Sequence, residues 1–354
     1  MRTTPKNILV APLNWGLGHA TRCIPIIRAL EAEGFRPILA SDGAALEMLK
    51  KEFPHLKSIE LPSYEITYAK NGRNFKWKMI AGLPKMVTAI LNEKRTVNQW
   101  ISEHQLDGII SDNRLGVRSK KIPSVFITHQ LNVLTGNTSK LTSEMHQFII
   151  KKFHECWVPD FEKKPNLTGK LGHLKKTNLK IKYIGPLSRI RKLNIPQKYD
   201  LMVILSGPEP QRTMLEEKIK TELMQFNGKV VFISGIIEAE QLSTIKDNVK
   251  YYNFMNSEQL EKTFNESKLV LCRSGYTTIM DLAQLGKKAF FIPTPGQYEQ
   301  EYLAKKLKER GIVPFAKQNK FKMENLWEAE VYSGFSVIEN TIDWHLLFRL
   351  FDGE

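Results

Sequence analysis

Short apolar runs alternate with longer stretches of helical spacing along almost the whole chain. Ile8–Ala11, Pro37–Ala40, Ser58–Leu61, Gly108–Ser111 and Ser124–Thr128 read as strands, and helical patterns fall near residues 19–33, 43–53, 76–104 and 140–154. This alternation predicts a mostly parallel sheet covered by helices on both faces. Around 159–198 the composition shifts to Pro, Gly, Asn and Lys, with one further strand at Ile181–Ile184. The alternation then restarts: strands at Leu201–Leu205, Val230–Ser234, Leu269–Cys272, Ala289–Ile292 and Val313–Phe315, helices near 209–225, 257–265, 276–286, 297–310 and 322–332. The last segment, Phe335–Phe351, has amphipathic helical spacing. The expected organisation is therefore an α/β chain with two Rossmann-like, doubly wound parallel-sheet domains. Residues 1–165 form the first, 166–190 a linker and 191–334 the second, with a terminal helix at 335–354.

A chain of 354 residues with 42% apolar and 25% charged positions has room for two cores. No window approaches the run of about 18 apolar residues that a membrane span needs. The basic N-terminus leads into an apolar run that breaks at Asn14, which reads as a first strand rather than a signal peptide. Cys23, Cys156 and Cys272 are odd in number and far apart, so a reducing, cytoplasmic setting is expected and neither a disulfide framework nor a zinc site is. Of the net charge of +15, +14 lies in residues 1–187. That asymmetry suits an anionic partner on one side, or simply a solvated basic surface. Within that half, Tyr64–Lys94 interleaves aromatic residues such as Phe75 and Trp77 with lysines. The pattern suits an anionic membrane surface, equally core packing, and less well nucleic acid.

Two strand-to-helix junctions hold the chemistry. Gly16-Leu17-Gly18-His19-Ala20-Thr21-Arg22 follows the first strand, and Arg273-Ser274-Gly275-Tyr276-Thr277-Thr278 follows Leu269–Cys272. Free N–H groups at a helix start attract anions, usually phosphate. Two such sites in separate halves imply a ligand held across a cleft. His19, at a helix opening whose dipole favours the neutral imidazole, is the candidate general base, with Asp112 the second choice. Alternatively His19 caps the helix or contacts phosphate. Gly16, Gly18, Thr21, Arg22, Asn113 and His129 are candidate acceptor-binding positions. A dinucleotide reading would use Gly16, Gly18 and Asp42, but Thr21 replaces the third glycine and the turn is too long. The turn Ser206-Gly207-Pro208-Glu209 could also face phosphate. No Asp-x-Asp pair that would clamp a metal occurs, so neither a metal nor a cofactor is expected.

These residues resemble the nucleotide-sugar glycosyltransferases of the GT-B fold, family 28 in particular. The resemblance rests on Gly16-x-Gly18-His19, on Arg273-Ser274-Gly275 with Thr278 and Asp281, and on Pro293 with Glu299-Gln300. It implies an inverting transfer of a sugar, N-acetylglucosamine or a related hexose, from a UDP-sugar to a hydroxyl of a lipid-linked, glycan or small-molecule acceptor. The cysteine usage and the Tyr64–Lys94 pattern place the expected setting in the cytoplasm or at the inner face of the membrane. Donor-binding positions follow from the resemblance: Phe254 and Met255 for uracil, and Asp281, where relatives often have glutamate, for ribose. Ser206, Gly207, Glu209, Arg273, Ser274, Gly275, Thr277 and Thr278 would surround the diphosphate, with Gln297, Glu299 and Gln300 on the sugar. A UDP-sugar hydrolase or epimerase, or a non-catalytic basic protein that binds membrane or nucleic acid, remain alternatives.

Overall fold

A computed structural model describes residues 5–64, 75–338 and 342–353, with backbone alone over 75–86 and at 137. Most of the aromatic and basic stretch within Tyr64–Lys94 therefore lies outside the described side chains. The chain divides into two compact units, one running through Leu187 and rejoined by the C-terminal segment, the other beginning at Ser188.

The first unit is built on seven strands, β1 (Asn7–Pro12), β2 (Arg36–Ser41), β3 (Ser58–Glu60), β4 (Leu106–Asp112), β5 (Ser124–Ile127), β6 (Glu155–Val158) and β7 (Ile181–Tyr183). Their order is β3-β2-β1-β4-β5-β6-β7, and every pairing is parallel. Helices α1 (Gly18–Ala32), α2 (Gly43–Glu52), α3 (Phe75–Glu103) and α4 (Ser139–Ile150) connect them. The strands are apolar because both faces are covered: Leu9, Ala11, Ile38, Ala40 and Ile109 pack with Val97 and Trp100 of α3. The strand order reverses between β1 and β4. That switch point, at the carboxyl ends of the strands, is where doubly wound sheets bind ligands.

The second unit repeats the design with β8 (Tyr199–Ile204), β9 (Val230–Ile233), β10 (Ser243–Lys246), β11 (Val249–Tyr252), β12 (Ser267–Cys272) and β13 (Lys288–Phe291), in the order β10-β11-β9-β8-β12-β13. Only β10 pairs antiparallel. Helices α5 (Gln211–Leu223), α6 (Ser257–Glu266), α7 (Tyr276–Leu285), α8 (Tyr298–Glu309) and the short α9 (Glu328–Val331) complete it. Its core is Leu201, Val203, Phe232, Leu271 and Phe290, closed by Leu215, Ile219 and Phe321. Its order reverses between β8 and β12.

Several elements differ from the expectation. Residues 166–187 are part of the first unit rather than a linker: β7 extends the sheet, and Leu167, Leu171, Ile184 and Leu187 are buried. Val313–Phe315 is too short of partners to form a strand and contributes one bridge, Phe291 to Phe315. The C-terminal helix is only α10 (Trp344–Phe348) plus one tight turn. Phe348 and Phe351 pack edge-on against Phe35, and Lys6 donates to the Phe351 carbonyl at 2.8 Å. A Cβ at Gly108 would stand 2.4 Å from the Phe351 ring, so β4 needs glycine there to admit it.

Candidate functional site

In the first unit the site grows from the β1–α1 loop. Asn14 is pinned by both ends of its amide: its Nδ2 donates to Asp42 Oδ2 at 3.2 Å, and its Oδ1 accepts the Ala45 N–H at 3.3 Å. The chain turns at Gly16, with φ at +78°, where a side chain would be strained. α1 then opens at Gly18 and presents His19. Opposite stands Asp112, the last residue of β4, fully buried.

His19 Nδ1 lies 2.7 Å from Asp112 Oδ1. Arg22, one turn further along α1 and 1% exposed, forks onto both Asp112 oxygens. Its Nη1 donates to His129 Nδ1 at 2.9 Å, and its Nη2 is 2.9 Å from His19 Nδ1. A carboxylate at hydrogen-bond distance assigns the His19 proton to Nδ1 and the lone pair to Nε2. Burial would raise the Asp112 pKa, but Arg22 and then His19 outweigh it and hold the carboxyl near about 2. Burial, partly opposed by Asp112, lowers the His19 pKa. At neutral pH the group is thus an ionised carboxylate orienting a neutral, 15% exposed imidazole, the arrangement a general base requires.

This fixes where the expected residues stand. His19, Asp112, Arg22 and His129 come together. Arg22 does not face outward as an acceptor ligand would; its guanidinium is engaged by Asp112 and the histidines, which makes it a positioning group. Thr21 is also turned inward, its hydroxyl donating to the Gly18 carbonyl at 3.0 Å. Asn113 is half-buried at φ +57°, and Gly16 and Gly18 lie at the loop surface. Asp42, the acid of the dinucleotide reading, accepts from Arg114 Nη1 at 2.8 Å as well as from Asn14, so neither oxygen is left bare for a ribose. Arg114 in turn bonds Glu93 Oε1 at 2.6 Å and the Pro62 carbonyl at 2.6 Å, while Glu93 Oε2 accepts from Tyr64 and the Gly116 N–H. Sequence reasoning missed this supporting layer. Its only outward signal was Arg114, two residues after Asp112.

In the second unit the expected donor residues gather at the carboxyl ends of β8, β12 and β13. Ser206 and Gly207 are exposed, and Gly207 has φ +105°. Gly275 opens α7 with no atom within 4 Å of where a Cβ would stand, so a ligand has room against the backbone. Thr277 and Thr278 are half-buried on the first turn. Phe254 and Met255 are half-buried just before α6, and Gln297 and Glu299 flank the start of α8.

Other expected donor ligands are engaged within the protein. Arg273, 1% exposed, donates to the carbonyls of Ile292, Pro293 and Gln211, tying β12 to the strand beside it and to α5. Burial pushes its pKa down to about 9. Ser274 donates to the Gln300 carbonyl at 2.8 Å, and the Gln300 Oε1 accepts the Thr294 N–H at 2.8 Å. Glu209 bonds Arg212 at 2.6 Å and the Thr213 hydroxyl at 2.8 Å, steadying the start of α5. Asp281 is 6% exposed and accepts from Ser188 at 2.6 Å; burial, against the pull of Arg189, raises its pKa to about 6. These side chains shape the backbone that would meet a diphosphate. Among the described residues no three His, Cys, Asp or Glu side chains gather as a metal site, and no helix is long and apolar enough to cross a membrane.

Residues 209–332 match the glycosyltransferase family 28 C-terminal domain. Over 324 residues the chain is 25% identical to an uncharacterized glycosyltransferase of Methanosarcina acetivorans, covering 84% of this chain and 82% of that one. It is 22% identical over 333 residues to a UDP-N-acetylglucosamine--N-acetylmuramyl-(pentapeptide) pyrophosphoryl-undecaprenol N-acetylglucosamine transferase of Glaesserella parasuis, covering 92% and 88%. Of solved structures, the glycotransferase of kitacinnamycin superposes with a TM-score of 0.62 at 15% identity over 99% of this chain and 96% of that one. MurG of Acinetobacter baumannii does so with a TM-score of 0.53 at 14% identity, over 99% and 94%. These two likenesses concern the fold, which is GT-B.

Proposed function

Starting from a GT-B glycosyltransferase with a family 28 C-terminal domain, we propose that this protein moves a hexose, N-acetylglucosamine by preference, from a UDP-sugar to an acceptor hydroxyl. The observation that carries the reading is the His19–Asp112–Arg22 arrangement at the first switch point. His19 Nε2 takes the proton of the acceptor hydroxyl as its oxygen bonds to the anomeric carbon of the donor sugar. The bond from that carbon to the diphosphate oxygen breaks, and its electron pair leaves with UDP. Attack opposite the leaving group inverts the anomeric centre. Asp112 stabilises the imidazolium that forms, and Arg22 keeps the carboxylate ionised and aimed.

In the second unit, backbone N–H groups around Ser206-Gly207 and at the start of α7 would stabilise the developing diphosphate charge. Phe254 and Met255 would receive the uracil and Gln297 and Glu299 the sugar hydroxyls, while Asp281 would exchange its bond to Ser188 for the ribose and Gln300 would reach the sugar with its free amide nitrogen. The lack of an Asp-x-Asp pair favours a reaction that needs no metal. The acceptor proposed is a lipid-linked sugar, the class named in the Glaesserella parasuis relative, met at the cytoplasmic face of a membrane. The test follows UDP release from UDP-N-acetylglucosamine, with and without a membrane lipid extract, for wild type and His19→Ala. Extract-dependent UDP release that His19→Ala abolishes supports transfer. Release independent of extract points to hydrolysis, and release unchanged by His19→Ala removes the base.

A further inference from the structure

A cavity of about 240 Å³, lined by Ser119, Lys120, Lys152, Phe153 and His154, opens at the amino-terminal edge of the first sheet, the edge opposite His19 and Asp112. There the loop after β4 enters β5 and the turn after α4 enters β6. Arg118 borders it: the residue is 8% exposed, its guanidinium carbon is 6.0 Å from the centre of the Phe153 ring, and its Nε is buried without a partner. A buried cation lacking hydrogen bonds is costly, and an anion relieves that cost. The nearest acid in the sequence, Glu155, is already held by Lys182 and by the Trp157 indole N–H, each at 2.7 Å. His154 accepts the Ser124 N–H at Nδ1, so its other nitrogen carries the proton and is a donor. The cavity is thus lined by two lysines, Lys152 with its ammonium 4.3 Å from the centre of the Phe148 ring, and by an imidazole N–H, with the Arg118 guanidinium beside its Phe153 wall; among the described residues its lining lacks an acid.

We propose that this cavity binds a phosphate group, at a site separate from both donor and acceptor positions. A lipid headgroup and a free phosphate present the same chemistry. Leu141, Met145 and Phe148, at 62%, 52% and 64% exposure, run along α4 towards Lys152, so the lipid source merits its own arm of the test.

The full chain is titrated with inorganic phosphate, followed by phosphorus NMR line width, and mixed with phosphatidylcholine vesicles with and without phosphatidylglycerol. The comparison variant is Lys120→Ala with Lys152→Ala, two exposed residues whose removal leaves the core intact. Saturable phosphate binding that the double variant weakens by about tenfold or more supports the site. Phosphatidylglycerol-dependent vesicle binding lost in the double variant and in Phe148→Ser assigns the phosphate to a lipid. Phosphate binding without vesicle binding assigns it to a soluble compound. Binding of neither, or binding the double variant leaves unchanged, overturns the proposal. A phosphate bound in the second unit cannot mimic the supporting result, because neither lysine belongs to that unit.

Discussion

Removing the imidazole of His19 takes away the proton acceptor and leaves the second unit untouched. His19→Ala is therefore expected to lower turnover roughly 10²–10⁴-fold with UDP affinity unchanged, which turnover and calorimetry read separately. Because burial lowers the His19 pKa, the acid limb of the wild-type rate profile should fall below pH 6.5, the ordinary value. Asp281 carries the opposite shift. Its carboxyl, raised to about 6 from 3.8, is protonated more readily in the folded state, so its contribution to stability is present at low pH and lost as pH rises through 6. Asp281→Asn should then stabilise the ligand-free protein by roughly 2 kcal/mol near pH 7.5 while weakening UDP binding, a trade visible by melting with and without UDP. His19, Asp112 and His129 were legible in the sequence because each follows an apolar strand. The inward turn of Arg22 was not. Whether an arginine one turn into a helix meets solvent or a buried carboxylate depends on how β4 registers against β1, which long-range pairing decides.

At the scale of elements, both candidate sites rest on loops held from behind. Asn14 clamps the β1–α1 loop to the start of α2, and Gly43 must lack a side chain, since a Cβ there would stand 2.5 Å from the Asn14 amide. In the second unit Gly235, at φ +71°, lies so close to the loop after β8 that a Cβ would stand 2.2 Å from the Leu205 carbonyl oxygen. At Gly235 the neighbour is backbone, which cannot yield cheaply. Gly235→Ala is expected to destabilise the protein by roughly 1–3 kcal/mol and to weaken UDP binding by displacing Ser206 and Gly207; denaturant melts and UDP titration would detect both. The apolar runs foretold the strands at the centre of each sheet, β1, β4, β5, β8, β9 and β12, because strands buried on both faces need only apolar side chains, but β6 and β11, next to the edge strands, were passed over. β10 was invisible for the converse reason: all four residues are exposed, and Ser243–Lys246 carries no alternation. The C-terminal helix was foretold too long, because Val337 and Ile338 keep helical spacing yet lie in an irregular segment, where Ile338 donates its N–H to Ala283 of α7.

For the molecule as a whole, the restart of the strand–helix alternation near residue 200 made two sheets legible, while their boundary was not. The Lys- and Gly-rich stretch 166–187 resembles a linker in composition, but its apolar residues complete the first unit. Acid should unfold the protein early. His146, half-buried but with its Nε2 buried and unpartnered, has its pKa lowered by desolvation from 6.5 to about 4, so the unfolded chain binds the proton first and stability drains as pH falls through that window. The loss reaches roughly 3 kcal/mol at pH 4, and His146→Leu should blunt the fall in melting temperature between pH 6.5 and 4. Donor chemistry is the claim on which the rest depends, and it is tested most directly by calorimetric titration with UDP of the wild type and Asp281→Ala, without added metal. The expected result is saturable binding that the substitution weakens. An absence of UDP binding, or binding that Asp281→Ala leaves unchanged, would contradict it.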